Sequence, residues 1–239
     1  MENTLLTSCL RGIQHAWHFW YAVVLVLKRH AAAWSLRASP LSKALNDIRG
    51  IVVMKDVKVA FMQHNLDLLT KFHNHVHGFF NDNLGLSQAD DSLDRGQKNW
   101  LKSEYEVHLP NQLRKSVFLM MFGHLEEHLY LSWVEYGEPD CLNDRAYGLK
   151  KYNQFFTNYV GLNIGSDGDY QYLMDCQIVR NAIIHTAGRV SLLKEPDQLA
   201  RVISKNKGCF ETKNDRVYIT HEGLHRFQKS VSAFTGKVI

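Results

Sequence analysis

Apolar residues recur at three- and four-residue steps from about Met54 to Phe80, through Val57, Phe61, Leu68, Leu69, Phe72, Val76 and Phe79. That period predicts an amphipathic helix with these residues as its buried stripe. Asn81 to Gln97 interrupts it with Gly85, Ser87, Asp90, Asp91, Asp94 and Gly96, and reads as a polar loop. A second long helix is predicted from Pro110 to about Tyr136, striped by Leu113, Val117, Phe118, Met121, Leu125, Leu129 and Trp133. Gly137-Glu138-Pro139 is placed to end it. Tyr152, Phe155, Phe156 and Tyr159 mark a shorter helix over about Leu149 to Val160. After a turn-rich stretch, Gly161 to Gly168, either Asp167 or Asp169 can cap the next helix. That helix runs through Tyr172, Leu173, Cys176, Val179, Ile183 and Ile184, and Gly188 is placed to stop it.

Beyond Gly188 the pattern changes. Pro196 to Ser204 suits a short helix. Cys209 to Thr212 and Arg216 to Thr220 flank Lys213-Asn214-Asp215, the pattern of a small β-hairpin. Thr220 then caps a closing helix bearing Leu224, Phe227, Val231 and Phe234. The chain shows no internal repeat and no low-complexity segment. The expected fold is mainly all-α: an up-down helical bundle over residues 54–239, with a minor C-terminal hairpin and a closing helix.

Residues 1–53 fit this scheme poorly. Ala16 to Leu27 is apolar and aromatic, but shorter than the roughly 20 apolar residues of a membrane span. It has the proportions of a signal peptide, yet Lys28, Arg29 and His30 occupy the usual cleavage region. The preferred reading is a poorly structured extension or a mis-assigned start, with Met54 opening the domain.

Composition narrows the function classes. The 239 residues are 45% hydrophobic and 22% charged, so a full-sized core is available without staples. The net charge of +4 permits contact with a polyanion without requiring it. Cys9, Cys141, Cys176 and Cys209 are scattered, which argues against a disulfide framework and against a cysteine-rich zinc site. Thiols left free fit a reducing, cytoplasmic setting.

The sharpest cluster of chemistry is Arg180-Asn181-Ala182-Ile183-Ile184-His185. Five helical residues advance about 500°, so Arg180 and His185 stand roughly 140° apart in projection, while Asn181 and His185 share a face. A guanidinium can fork onto phosphate oxygens, and an imidazole can move protons near neutral pH. RNA cleavage by its own 2′-hydroxyl needs positioning, proton transfer and charge stabilisation, and in principle no metal.

The segment from Ile178 to Arg189 resembles the signature of the HEPN superfamily: an arginine, a polar residue that is commonly asparagine, three further residues, then histidine. Ser116 to Trp133, with Phe122, Leu125, Glu126 and Leu129, is similar to the long HEPN helix that often carries an acidic residue. The order of parts also agrees, and the resemblance covers about Met54 to the C-terminus. It implies a homodimer whose two motif copies face a shared cleft, and an activity of metal-independent RNA cleavage in toxin–antitoxin or anti-phage defence. It implies no cofactor, and a possible antitoxin or defence-complex partner. Carried over, Arg180 would bind and polarise the scissile phosphate, His185 would act as general acid and base, and Asn181 would order the pair. Glu126 would orient one of them. Some toxin members carry a tyrosine two residues after the histidine, where this chain has Ala187, so regulation through that tyrosine is not implied. Other members are catalytically silent scaffold or nucleotide-binding modules.

Weaker signals remain. Arg189, Lys205, Lys207 and Arg216 are candidates for steering RNA, although acidic residues interleave with the basic ones. His124-Leu125-Glu126-Glu127-His128 fits the HxxEH pattern of inverted zinc peptidases, but only Glu195 and Glu211 offer a third ligand. His73, His75 and His77 alternate on a helix, where successive members diverge by about 200°, and so read as a solvated face. No metal site and no membrane association are expected.

Overall fold

The computed structural model describes residues 51–135 and 148–238, and everything below concerns the compact unit that begins at Lys55. The expected N-terminal extension, the Gly137-Glu138-Pro139 break, Cys9 and Cys141 lie outside the described residues. Among the described residues the chain is mainly helical, with a two-stranded antiparallel hairpin near the C-terminus. Its elements are α1 (Ile51–Ala89), α2 (Arg95–Ser103), α3 (Leu109–Glu135), α4 (Leu149–Phe155), α5 (Gly168–Thr186), α6 (Pro196–Lys205), β1 (Phe210–Lys213), β2 (Arg216–Ile219) and α7 (His221–Val238). Among the described residues no helix is long and apolar enough to cross a membrane.

Two expectations about the first half are corrected. The polar stretch from Asn81 is not a loop: α1 continues to Ala89, and a new helix starts at Arg95. Asp94 begins that helix with a reciprocal cap, its carboxylate accepting from the Gln97 amide at 2.8 Å while the Gln97 side chain accepts from the Asp94 amide at 2.9 Å. A π-turn, Glu104–His108, then joins α2 to α3 without a break. The wide turn lies just before Pro110, whose ring would otherwise crowd the carbonyl four residues back.

The second correction concerns which face of α1 is buried. Val57, Phe61, Leu68 and Phe79, expected in the core, are exposed together with Leu86. Their spacing puts all five within about 40° of one another on the helix. The buried face instead carries Met62, Leu66 and His73, with Leu69, Phe72, Val76 and Phe80 packed against the core. α1 is thus apolar over about half its circumference. Among the described residues the part carrying Leu69, Phe72 and Val76 packs against the core, while Phe61 on the exposed part still lies 6.3 Å from His128.

Contacts between helix ends fix the directions of packing. Lys58 pairs with Glu135 and Phe80 meets Tyr105, so α1 runs antiparallel to the α2–α3 rod. Gln63 accepts from Ser232 at 2.5 Å, and His73 lies 6.0 Å from His221, so α7 also runs against α1. At the start of α5, Lys237 bridges Asp167 and Asp169. The core centres on Phe118, Phe122 and Phe227, with Phe122 and Phe227 stacked at 5.8 Å. Phe210 of β1 joins them at 6.4 Å from Phe118, anchoring the hairpin to α3.

The hairpin pairs Phe210 with Ile219 and Lys213 with Arg216. Its turn residues Asn214 and Asp215 have φ of 50° and 60°, the left-handed pair that a two-residue hairpin loop needs.

Candidate functional site

α5 carries the motif, and its burial pattern explains why the polar residues reach the surface. Asp167 caps the helix, accepting from the amides of Asp169 and Tyr170. Tyr172, Leu173, Cys176, Val179, Ala182 and Ile183 pack inward. Arg180, Asn181, Ile184 and His185 fall on the remaining arc, with Ile184 and His185 exposed.

The helix ends at Thr186. Ala187 (φ 52°) and Gly188 (φ 77°) both take the left-handed conformation, and the Gly188 amide donates to the Ala182 carbonyl at 3.0 Å. Gly188 was expected to stop the helix, and in fact shares the reversal with Ala187. The hairpin then clamps this end. Val217 donates to the Gly188 carbonyl at 2.8 Å, Val190 donates to the Asp215 carbonyl at 3.0 Å, and Arg189 bridges Arg216. Lys115 of α3 is buried beneath the same turn, and burial together with Arg216 lowers its pKa.

Arg180 turns toward α3. Its guanidinium lies 3.3 Å from the Glu126 carboxylate and 5.7 Å from the centre of the Phe122 ring. It also donates to the Asn181 side-chain oxygen at 3.1 Å. Both members of the ion pair keep about a third of their side chains in solvent, 28% for Arg180 and 32% for Glu126.

His185 faces a different space. Together with Asn181, Thr186, Lys194, Glu195 and Gln198 it lines a groove of about 610 Å³ between the end of α5 and the start of α6. Arg180 does not line that groove. Asn181 is the link, since it bonds Arg180 and borders the space that holds His185.

The other candidates disperse. Arg189 sits on the turn that follows the motif, and Arg216, the first residue of β2, reaches the Ala187 carbonyl at 3.4 Å. Lys205 is paired at 2.8 Å with Asp175, which lies about 15 Å along α5 from His185. Lys207 is exposed beyond α6. Sequence reasoning passed over Lys194 and Gln198, which the groove contains. The only available signal was the Pro196 helix start, because Lys194 and Gln198 flank it.

The HxxEH segment gathers no ligand set. His128 is buried, 6.3 Å from Phe61, and burial holds its imidazole below the usual value. His124 leans on Glu127 at 3.5 Å. Glu195 lies with His185, and Glu211 pairs with Lys213. Among the described residues, no group of three or more His, Cys, Asp or Glu is arranged to hold a metal ion. Known protein families, curated proteins and solved structures all fail to match this chain.

Proposed function

We propose that this chain is a metal-independent endoribonuclease of the HEPN type, acting as a homodimer in toxin–antitoxin or anti-phage defence. One observation carries the reading. The asparagine between the two functional residues bonds the guanidinium on one side and borders the imidazole's groove on the other. Arg180 is held by a carboxylate and an aromatic face, yet more than a quarter of its side chain stays accessible to a phosphate.

In the proposed reaction His185 takes the proton of an RNA 2′-hydroxyl, and the freed oxygen attacks the adjacent phosphorus. The bond to the 5′-oxygen breaks, and that oxygen leaves with a proton returned by an imidazolium. The products are a 2′,3′-cyclic phosphate and a 5′-hydroxyl. Arg180 stabilises the charge that builds on the non-bridging oxygens. Within one protomer Arg180 and His185 address different spaces, so in this proposal a second copy completes the cleft.

The test is incubation of purified protein with total cellular RNA in the presence of a metal chelator. Wild type is expected to give cyclic-phosphate ends, whereas Arg180→Ala and His185→Ala give none. Intact RNA after incubation with wild type would overturn the reading.

A second reading is favoured by the Glu126–Arg180–Phe122 contact, which ties α5 to α3 whether or not RNA is present. On that reading the chain is a catalytically silent scaffold in a defence complex. His185→Ala would then leave its biological activity unchanged, and only substitutions that separate the protomers would abolish it.

A further inference from the structure

A second pocket is lined by neither Arg180 nor His185. It has a volume of about 490 Å³ and is lined by His73, Asn74, His77, Gly78 and Asn81 of α1 and by His221 at the start of α7. The rings of His77 and His221 stand 5.9 and 6.0 Å from that of His73.

His73 is the unusual member. Its side chain is almost wholly buried, at 3% exposure. Its Nδ1 lies 3.1 Å from the Asn74 side-chain oxygen, and so donates to it. That leaves Nε2 inside the protein with no hydrogen-bond partner among the described residues. A buried polar atom without a partner costs about 1–3 kcal/mol, and such sites are commonly completed by a ligand or water.

The surroundings select the charge of that ligand. The half-buried guanidinium of Arg114 acts on both His73 and His77, and His221 adds positive charge on protonation. His221 is also the first residue of an 18-residue helix, whose amino end favours an anion. Among the described residues no carboxylate lines the pocket, and Glu222, the next residue, is exposed. A cation would meet Arg114 and the helix end unfavourably, and no described cluster is arranged for a metal.

We propose that the pocket bounded by His73, His77 and His221 binds an oxyanion of the phosphate class, taking up protons as it does so. Protonated His73 gives Nε2 a hydrogen to donate, and the bound anion supplies the missing acceptor. The same anion offsets the mutual repulsion of the three imidazolium groups. Arg180 and His185 take no part, so the proposal stands or falls separately from the nuclease reading.

The pocket can be tested by following the imidazole resonances of each histidine by NMR across the range of His titration, at constant ionic strength in chloride. Inorganic phosphate is added in one arm and a 2′-deoxy oligonucleotide without terminal phosphates in the other. The expected result is an upward pKa shift of at least about one unit for His73, His77 and His221, equivalent to tenfold tighter anion binding by the protonated form. The exposed His64 and His108 should not move. Response to phosphate alone assigns the site to a free ion, and response to the oligonucleotide assigns it to a nucleic-acid backbone. His221→Gln and His77→Gln should each reduce the shift at His73 while leaving thermal unfolding cooperative, and they carry the test if a His73 variant fails to fold. The proposal is overturned if the three histidines do not respond, if all histidines shift alike, or if zinc chloride perturbs them and phosphate does not.

Discussion

Replacing Arg180 by alanine separates its proposed catalytic role from its structural one, because the two losses differ in size. The structural loss is bounded by the geometry. An ion pair with 28% and 32% of its side chains exposed is worth about 0.5–1 kcal/mol. The contact over Phe122 adds about as much again. Together they lower the melting temperature of a unit this size by roughly 2–8 °C, well within the stability of a folded domain. Under the proposed function the catalytic loss is larger, since removing a group that stabilises transition-state charge costs about 3–4 kcal/mol, or a rate factor of 10²–10³. Arg180→Lys keeps the charge but loses the planar fork, and should recover only part of the rate. Glu126→Gln keeps the shape while releasing the guanidinium's electrostatic anchor. It should slow cleavage in the wild type and have no effect in the Arg180→Ala background. The assay is single-turnover cleavage of an end-labelled RNA, run beside calorimetric melting of each variant. If Arg180→Ala melts several degrees lower yet cleaves within a factor of two of wild type, the arginine is a structural tie and the nuclease reading is wrong.

Other outcomes follow from burial and close approach. Burial chiefly, with positive neighbours adding for each, holds the imidazoles of His73, His77 and His128 below 6.5. The unfolded chain therefore binds more protons below that value, so the stability these groups confer is complete above it and is lost as pH falls through their folded values. Urea midpoints in phosphate-free buffer should drop between about pH 7.5 and 5.5, and a flat profile would refute the desolvation account. Gly223→Ala should destabilise by about 1–3 kcal/mol, because its methyl would lie 2.1 Å from the Cys209 carbonyl oxygen, backbone that cannot swing aside. An unchanged melting temperature would show that the α7 start can shift. Cys176 is buried and its thiol is pushed well above the ordinary range. It should resist alkylation until the protein unfolds, as mass spectrometry would show.

Local rules were most legible where one residue type decides the outcome. Thr220 caps α7, accepting from Gly223 at 2.9 Å, and Asp167 caps α5. Asn214 and Asp215 make the hairpin turn. The Asp94–Gln97 capping box was equally present in the sequence, but the surrounding glycine and aspartates obscured it. α1 shows a different failure. Its period correctly implied a helix, yet Val57, Phe61, Leu68 and Phe79 lie on the exposed part of one broad apolar arc, while Leu69, Phe72 and Val76 lie on the part packed against the core. A pattern apolar over half the helix does not reveal which part of it meets the core.

The sequence by itself determined that this chain is helical with a late hairpin, and that Asn181 and His185 share a face. Hydrogen bonding and helical period act over a few residues, so these features need no knowledge of distant partners. Only the tertiary structure decided that Arg180 leans on Glu126, that His185 shares a groove with Lys194 and Gln198, and that His73 meets His221 across 148 positions of chain. Those juxtapositions depend on which helix faces pack together, and packing depends on the shapes of surfaces remote in sequence.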